Sequence, residues 1–230
     1  MSKKSRIFIC MAGTSLSICL FGRAEDRPCQ VLFDALFIEF DVKVMEKISQ
    51  AESGAAPSSD KVLQNWEKGK GRLLNSFKLM TRSGVASSME TVQEIIYPTE
   101  FKVSEAPESE QEILLPDTFE TREVGTILNL TPTVGLQRKW IDIALSVELC
   151  DGPEWVELKS TVNSASGEPV QTTVPQPIFK SRNLSTSLIV QDGTTTMLGG
   201  LMDKDSEKIV YLLLTTTLVD AAGGPLAAAQ

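Results

Sequence analysis

Residues 140 to 149, WIDIALSVEL, alternate without interruption. Ile141, Ile143, Leu145, Val147 and Leu149 take one set of positions, and Trp140, Asp142, Ala144, Ser146 and Glu148 take the other. A period of two sends the sets to opposite sides of an extended strand, whereas a helix would scatter the apolar set around its axis. Related patterns fill QVLFDALFIEFD (30–41), RLLNSFKLMT (72–81), VGTILNLTPTV (124–134), LSTSLIV (184–190) and KIVYLLLTTTLVD (208–220). The first and last of these are apolar on both faces, as suits inner strands of a sheet. Ser83-Gly84, Gly135-Leu136 and Asp192-Gly193 stand between runs as turns, and the first joins 72–81 to VASSMETVQEIIYP (85–98) as a hairpin. Helical spacing is confined to VKVMEKI (42–48) and DKVLQNWEKG (60–69), with Ser59 or Asp60 as the expected cap. The pattern therefore predicts a mainly β fold of β-rich α+β type. It has about nine strands in curved antiparallel sheets or a sandwich, with one or two short helices.

Two segments break the rhythm. Residues 98–121 hold three prolines and seven acidic side chains, and read as an acidic excursion, either a long loop or an extended hairpin. GEPVQTTVPQPIF (167–179) also carries three prolines and belongs at an edge or crossing between strands. After Asp192-Gly193, the pair Gly199-Gly200 removes two side chains from a strand. That costs roughly 0.5–1 kcal/mol each against alanine, so a bend or a close backbone approach is expected there.

The first 24 residues have the layout of a secretory signal peptide. MSKKSR leads into IFICMAGTSLSICLFG, and cleavage is expected after Ala24. The apolar run is shorter than the roughly 20 residues of a spanning helix. Its removal deletes Lys3, Lys4, Arg6 and Arg23 but no acid. The 22 basic residues fall to 18 against 30 acidic, and the net charge moves from −8 to −12. The remaining chain divides into one β domain over 25–220 and a flexible small-residue tail over 221–230. Cys29 and Cys150 are left as an even pair in an oxidising compartment, either as a disulfide or as two separate buried thiols.

Chemistry is narrowed by what is missing. The chain has no histidine, which excludes Ser-His-Asp and Cys-His mechanisms and histidine metal sites. Acidic pairs such as Glu39/Asp41, or Glu105, Glu108, Glu110 and Glu112, read as solvating residues, and Lys159 and Lys180 have no nucleophile beside them. No catalytic, cofactor or metal residue is expected. An acidic chain without a basic, aromatic-interleaved run does not suit nucleic acid.

Several segments, in order, resemble the secretin family, the outer-membrane ring proteins of type II and III secretion and type IV pilus assembly. VLFDALFIEF is similar to the family's opening strand, and LLNSFKLMTRSGVASSMETV to the hairpin after its helix. REVGTILNLTPTV carries Gly125 and Pro132. PIFKSRNLSTSLIVQDGTTTMLGGL carries Arg182, Asp192-Gly193 and Gly199-Gly200 at the family's spacing. The departures are Gln93 in place of a gate-associated glycine and only MDKDSEK before the last strand. The resemblance implies a secretin-type β fold and an exported, non-catalytic component of a secretion or pilus apparatus. Its place is the periplasm or outer membrane of a Gram-negative-type bacterium, with protein partners from that apparatus. Two readings stand side by side: a minimal subunit of a homo-oligomeric ring or channel, and a soluble periplasmic accessory β-domain that is not itself a pore.

Overall fold

The computed structural model describes residues 29–51, 57–105, 112–163, 169–202, 207–224 and 226. The signal segment 1–24 lies outside the described residues. Within them the chain forms β1 (Cys29–Asp41), α1 (Val42–Ala51), α2 (Ser59–Glu67), β2 (Gly71–Arg82), β3 (Ser87–Glu105) and β4 (Glu112–Val134). Then follow β5 (Trp140–Cys150), β6 (Glu154–Asn163), β7 (Pro169–Ile178), β8 (Ser181–Gln191), β9 (Thr194–Met202) and β10 (Lys208–Asp220). The expected mainly β fold with two short helices is present. The tenth strand arises because the proline-rich segment pairs as β7 instead of only crossing between strands.

All pairing is antiparallel. One sheet runs β2-β1-β10-β9, a second β3-β4-β5-β8, and β6-β7 pair only with each other. β1 and β10 are inner strands, as their two apolar faces require. One face of each packs inward, through Phe33, Ala35 and Phe37 of β1 and Leu212 and Leu214 of β10. These meet Leu128, Leu130, Ile141, Ile143 and Leu145 of the second sheet in one core. The other face takes the helices: Ile38, Phe40, Tyr211 and Leu213 pack with Met45 and Val62. Phe37 meets Phe77 edge-on at 5.8 Å and Phe40 meets Tyr211 at 6.2 Å. The helix cap differs from expectation, because Ser58 is the N-cap residue and its side chain makes no capping bond.

Two bonds between the layers fix how the sheets stack. Asn75 Nδ2 donates to Thr126 Oγ1 at 2.7 Å, and Val134 N donates to Ser83 Oγ at 2.9 Å. The interval from 75 to 83 on the first sheet thus matches that from 126 to 134 on the second, so the sandwich is aligned. One end carries Cys29, Val134, Trp140, Gln191 and Asp220; Gly125, Cys150 and Ser181 lie toward the other.

Of the two readings of Cys29 and Cys150, a disulfide or two separate thiols, this alignment favours the second. Both thiols are free, Cys29 half-buried and Cys150 buried. Cys150 pairs with Gly125, close to the level of Phe37, whereas Cys29 begins β1 about eight residues away. At about 3.3 Å per residue that is roughly 26 Å, several times the Cα separation a disulfide spans.

The Asp192-Gly193 segment also differs from a paired hairpin. Ser83-Gly84, expected to join 72–81 and 85–98 as a hairpin, instead links β2 and β3 in different sheets. β8 and β9 likewise belong to different sheets, so the Asp192-Gly193 turn is a corner between layers. Asp192 holds it in place: its N–H donates to Lys139 O at 3.3 Å, and its Oδ1 accepts from Leu218 N at 2.7 Å. Gly193 N donates to Thr216 O at 2.8 Å. At the C-terminus, Gly224 N donates to Asp220 Oδ1 at 2.8 Å and Leu226 packs on the core; the other residues of the tail beyond Gly224 lie outside the described residues.

Candidate functional site

The second sheet is not used up inside the sandwich. β5 pairs with β4 only over Gly125–Val134, while β3 and β4 remain paired from there out to Glu105 and Glu112. Residues 93–105 and 112–124 therefore form a free two-stranded ribbon, roughly 43 Å long at 3.3 Å per residue. The acidic excursion is thus an extended hairpin, with 106–111 outside the described residues. β6 and β7 make a second ribbon, roughly 33 Å long by the same rise. Both leave from the same end, because Gly125, Cys150 and Ser181 share one level across the sheet.

Gly125 marks the neck of the first ribbon. Its φ is +139°, a region open essentially to glycine, and a Cβ there would overlap the backbone oxygen of Thr91. Arg182 marks the neck of the second. Its Nη2 donates to Asp151 Oδ1 and Oδ2 at 2.8 and 2.7 Å, with the arginine side chain only 12% exposed. Asp151 N donates to Lys180 O at 2.9 Å, so the outgoing and returning strands are closed together. Lys180 reaches Glu154 at 3.5 Å, and Arg122 reaches Glu148 at 3.6 Å. The rings of Tyr97 and Phe179 meet at 5.4 Å and join the two necks. Burial, together with the bond its hydroxyl donates to Glu120 at 3.2 Å, raises the Tyr97 pKa above the ordinary phenol value.

The remaining motif residues are structural and lie elsewhere. Pro132 sits beyond the end of β3, where the proline breaks no ladder, and its carbonyl accepts from Gly84 N at 2.6 Å. Gly199 and Gly200 together oppose Tyr211, since Leu201 pairs with Val210 and Leu198 with Leu212. This is a β-bulge with Gly199 at φ +69°, and a Cβ on Gly200 would press on Ile209 Cδ1 at 2.9 Å. Of the expected bend or close backbone approach, the bend is present as this bulge, and the close contact at Gly200 comes from the Ile209 side chain. Asp151, Tyr97 and Phe179 were not singled out from sequence; each is an isolated polar or aromatic residue with no periodic signal.

A cleft of about 400 Å³ beside the first neck is lined by Glu94, Arg122, Glu123, Glu148 and Cys150. Among the described residues no group of three histidine, cysteine, aspartate or glutamate side chains could hold a metal ion. Glu39 and Asp41 are engaged with Arg72 and Lys208, at 3.1 and 2.6 Å.

Residues 65–211 match the family model described as Secretin, bacterial type II and III secretion system protein. The chain belongs to the secretin family. The secretin match runs from α2 into β10 and takes in both ribbons and all the motif residues. Secretins are non-enzymatic secretion channel proteins. No curated protein matches the chain. Among solved structures it is similar to the type II secretion system secretin GspD of E. coli K12, at 14% identity and TM-score 0.44, covering 84% of this chain and 51% of that one. It is similar to the type II secretin GspD of enteropathogenic E. coli, at 14% identity and TM-score 0.43, covering 86% and 71%. It is also similar to the InvG secretin-domain β-barrel of the Salmonella SPI-1 injectisome, at 11%, 0.39, 88% and 65%. The chain thus spans about half the length of the first of these.

Proposed function

We propose that this secretin-family chain is an exported subunit of a homo-oligomeric ring or channel in the outer envelope of a Gram-negative-type bacterium. There it serves a secretion or pilus apparatus. The observation that carries the reading is the pair of two-stranded ribbons leaving one end of the sandwich. An isolated two-stranded ribbon is at best marginally stable in water, and its outer edges present unpaired N–H and C=O groups. Lateral pairing with neighbouring copies removes those edges, and cyclic closure makes every copy equivalent. Ile96 and Phe119 on the first ribbon, and Trp155 and Leu158 on the second, are exposed apolar side chains that such packing would cover.

A soluble periplasmic accessory domain is the second reading. It is favoured by the net charge of −8 and by Glu94 standing directly opposite Glu123 on the first ribbon. Electron microscopy of the chain extracted from membranes in detergent separates the two. Closed rings support the channel subunit; single sandwiches, with the chain recovered in the soluble fraction, support the accessory domain.

A further inference from the structure

The two helices carry a feature opposite in sign to the rest of the molecule. Between α1 and α2 lies a cleft of about 610 Å³ with Val44 and Ile48 in its lining and Lys47, Lys61, Lys68 and Lys70 around it. Among the described residues none of the lining is acidic. Among the described residues the Lys47, Lys68 and Lys70 ammonium groups have no ion pair, whereas Lys43 nearby is held by Glu207 at 2.9 Å. In a chain of net charge −8, three lysines at one cleft with no ion pair among the described residues are a local reversal. Like charges gathered at one cleft repel, and an anion bound among Lys47, Lys68 and Lys70 offsets that repulsion.

The cleft's place in the fold says which anion. α1 follows Asp41 at the end of β1, past the level of Phe37 and toward the end from which the ribbons leave. Leu73 and Met202 beside the helices, and Ile96, Phe119 and Trp155 on the ribbons, are exposed large apolar side chains in that half of the molecule. An apolar layer meeting that end would bring its charged boundary to these exposed lysines, a side chain that can lay its stem on apolar surface while its ammonium group stays outward. The chain's own acidic stretch does not fit as occupant. Glu105 and Glu112 pair at the far end of the first ribbon, roughly 43 Å from its neck at 3.3 Å per residue.

We infer that the α1–α2 cleft is a docking site for an anionic phospholipid surface, with lysine ammonium groups on headgroup phosphates and Val44 and Ile48 against the start of the acyl region. The inference rests on the envelope setting of the proposed function but not on ring closure, since the cleft is complete within one chain. Lysine binds phosphate as a point charge, so the association is electrostatic and falls with salt.

The test is flotation of the full chain with phosphatidylcholine vesicles, with and without phosphatidylglycerol, while particle mass is measured on the same samples. Binding should require phosphatidylglycerol and weaken with added salt. At about 1 kcal/mol per lysine near an anionic surface, the triple variant Lys47→Gln, Lys68→Gln, Lys70→Gln should lower partitioning on the order of 100-fold. The matching arginine triple should retain it, and all three proteins should melt together because the positions are exposed. Equal binding to phosphatidylcholine alone would assign membrane contact to the ribbons and overturn the inference. So would full binding by the glutamine triple. Capture of a soluble poly-glutamate peptide by the same lysines, without vesicle binding, would assign the cleft to an acidic protein segment instead. Mass readings that show no ring, alongside lysine-dependent flotation, would remove ring closure and leave the docking site standing.

Discussion

Replacing Gly125 by alanine should be among the most damaging single-methyl additions in this chain. Its φ of +139° is a conformation that L-residues scarcely adopt, and the new Cβ would run into the carbonyl oxygen of Thr91, a backbone atom of β3. Backbone strain in such a region costs roughly 1–3 kcal/mol. Forcing an extra carbon into closed packing costs roughly another 1–3 kcal/mol. Both apply here, because relieving either requires β3 to part from β4 at the neck. A total near 3–5 kcal/mol compares with about 5–15 kcal/mol for the whole stability of a domain. In urea, with a slope of about 2–3 kcal/mol per molar, the unfolding midpoint should fall by roughly 1–2 M. Gly84→Ala is the control: its φ is +76°, but no atom lies within 4 Å of the added carbon. That change should cost only about 1 kcal/mol for the left-handed backbone, a drop of under about 0.5 M in the midpoint. Equal midpoints for the two variants would refute the argument that the ribbon neck is closed around Gly125.

Three further outcomes follow from particular groups. Thr216 is fully buried and its hydroxyl has no partner among the described residues, so Thr216→Val should stabilise by about 1 kcal/mol and raise Tm by a few degrees; a lower Tm in calorimetry would contradict it. Burial raises the Tyr211 pKa, so the unfolded chain gives up this proton first. The stabilisation is therefore complete below the ordinary tyrosine value near 10 and declines as pH rises through the folded value. Tyr211→Phe should flatten that alkaline decline in denaturant titrations, and an unchanged slope would discount the residue. Finally, alkylation of the unreduced, denatured chain followed by mass spectrometry should find Cys29 and Cys150 both modified; a linked peptide pair would contradict the register of the sandwich.

The legible part of the fold was what periodicity controls. β1, β5 and β10 could be assigned to inner or half-exposed positions because their side chains report burial on each face. The glycine pair at 199–200 announced a bend or a close approach for a similarly local reason, and the register shift there makes it a bulge. What escaped depends on partners far away in the chain. Asp192-Gly193 looks like a hairpin turn in isolation, and only its bonds to Lys139, Thr216 and Leu218 make it a corner between sheets. The Cys29–Cys150 pairing was consistent with composition but not with a register that places them at different levels. Arg182 drew notice from the family spacing alone; its role at the neck needed Asp151, an acid beside a loop with no signal of its own.

The central claim is that the ribbons complete themselves only against other copies. It is tested most directly by the mass of the purified chain in solution, measured by light scattering without detergent and then with it. The account predicts a detergent-dependent particle whose protein mass is a large, fixed multiple of the mass of one purified chain. A monomer or dimer under both conditions, with the ribbons soluble on their own, would contradict it.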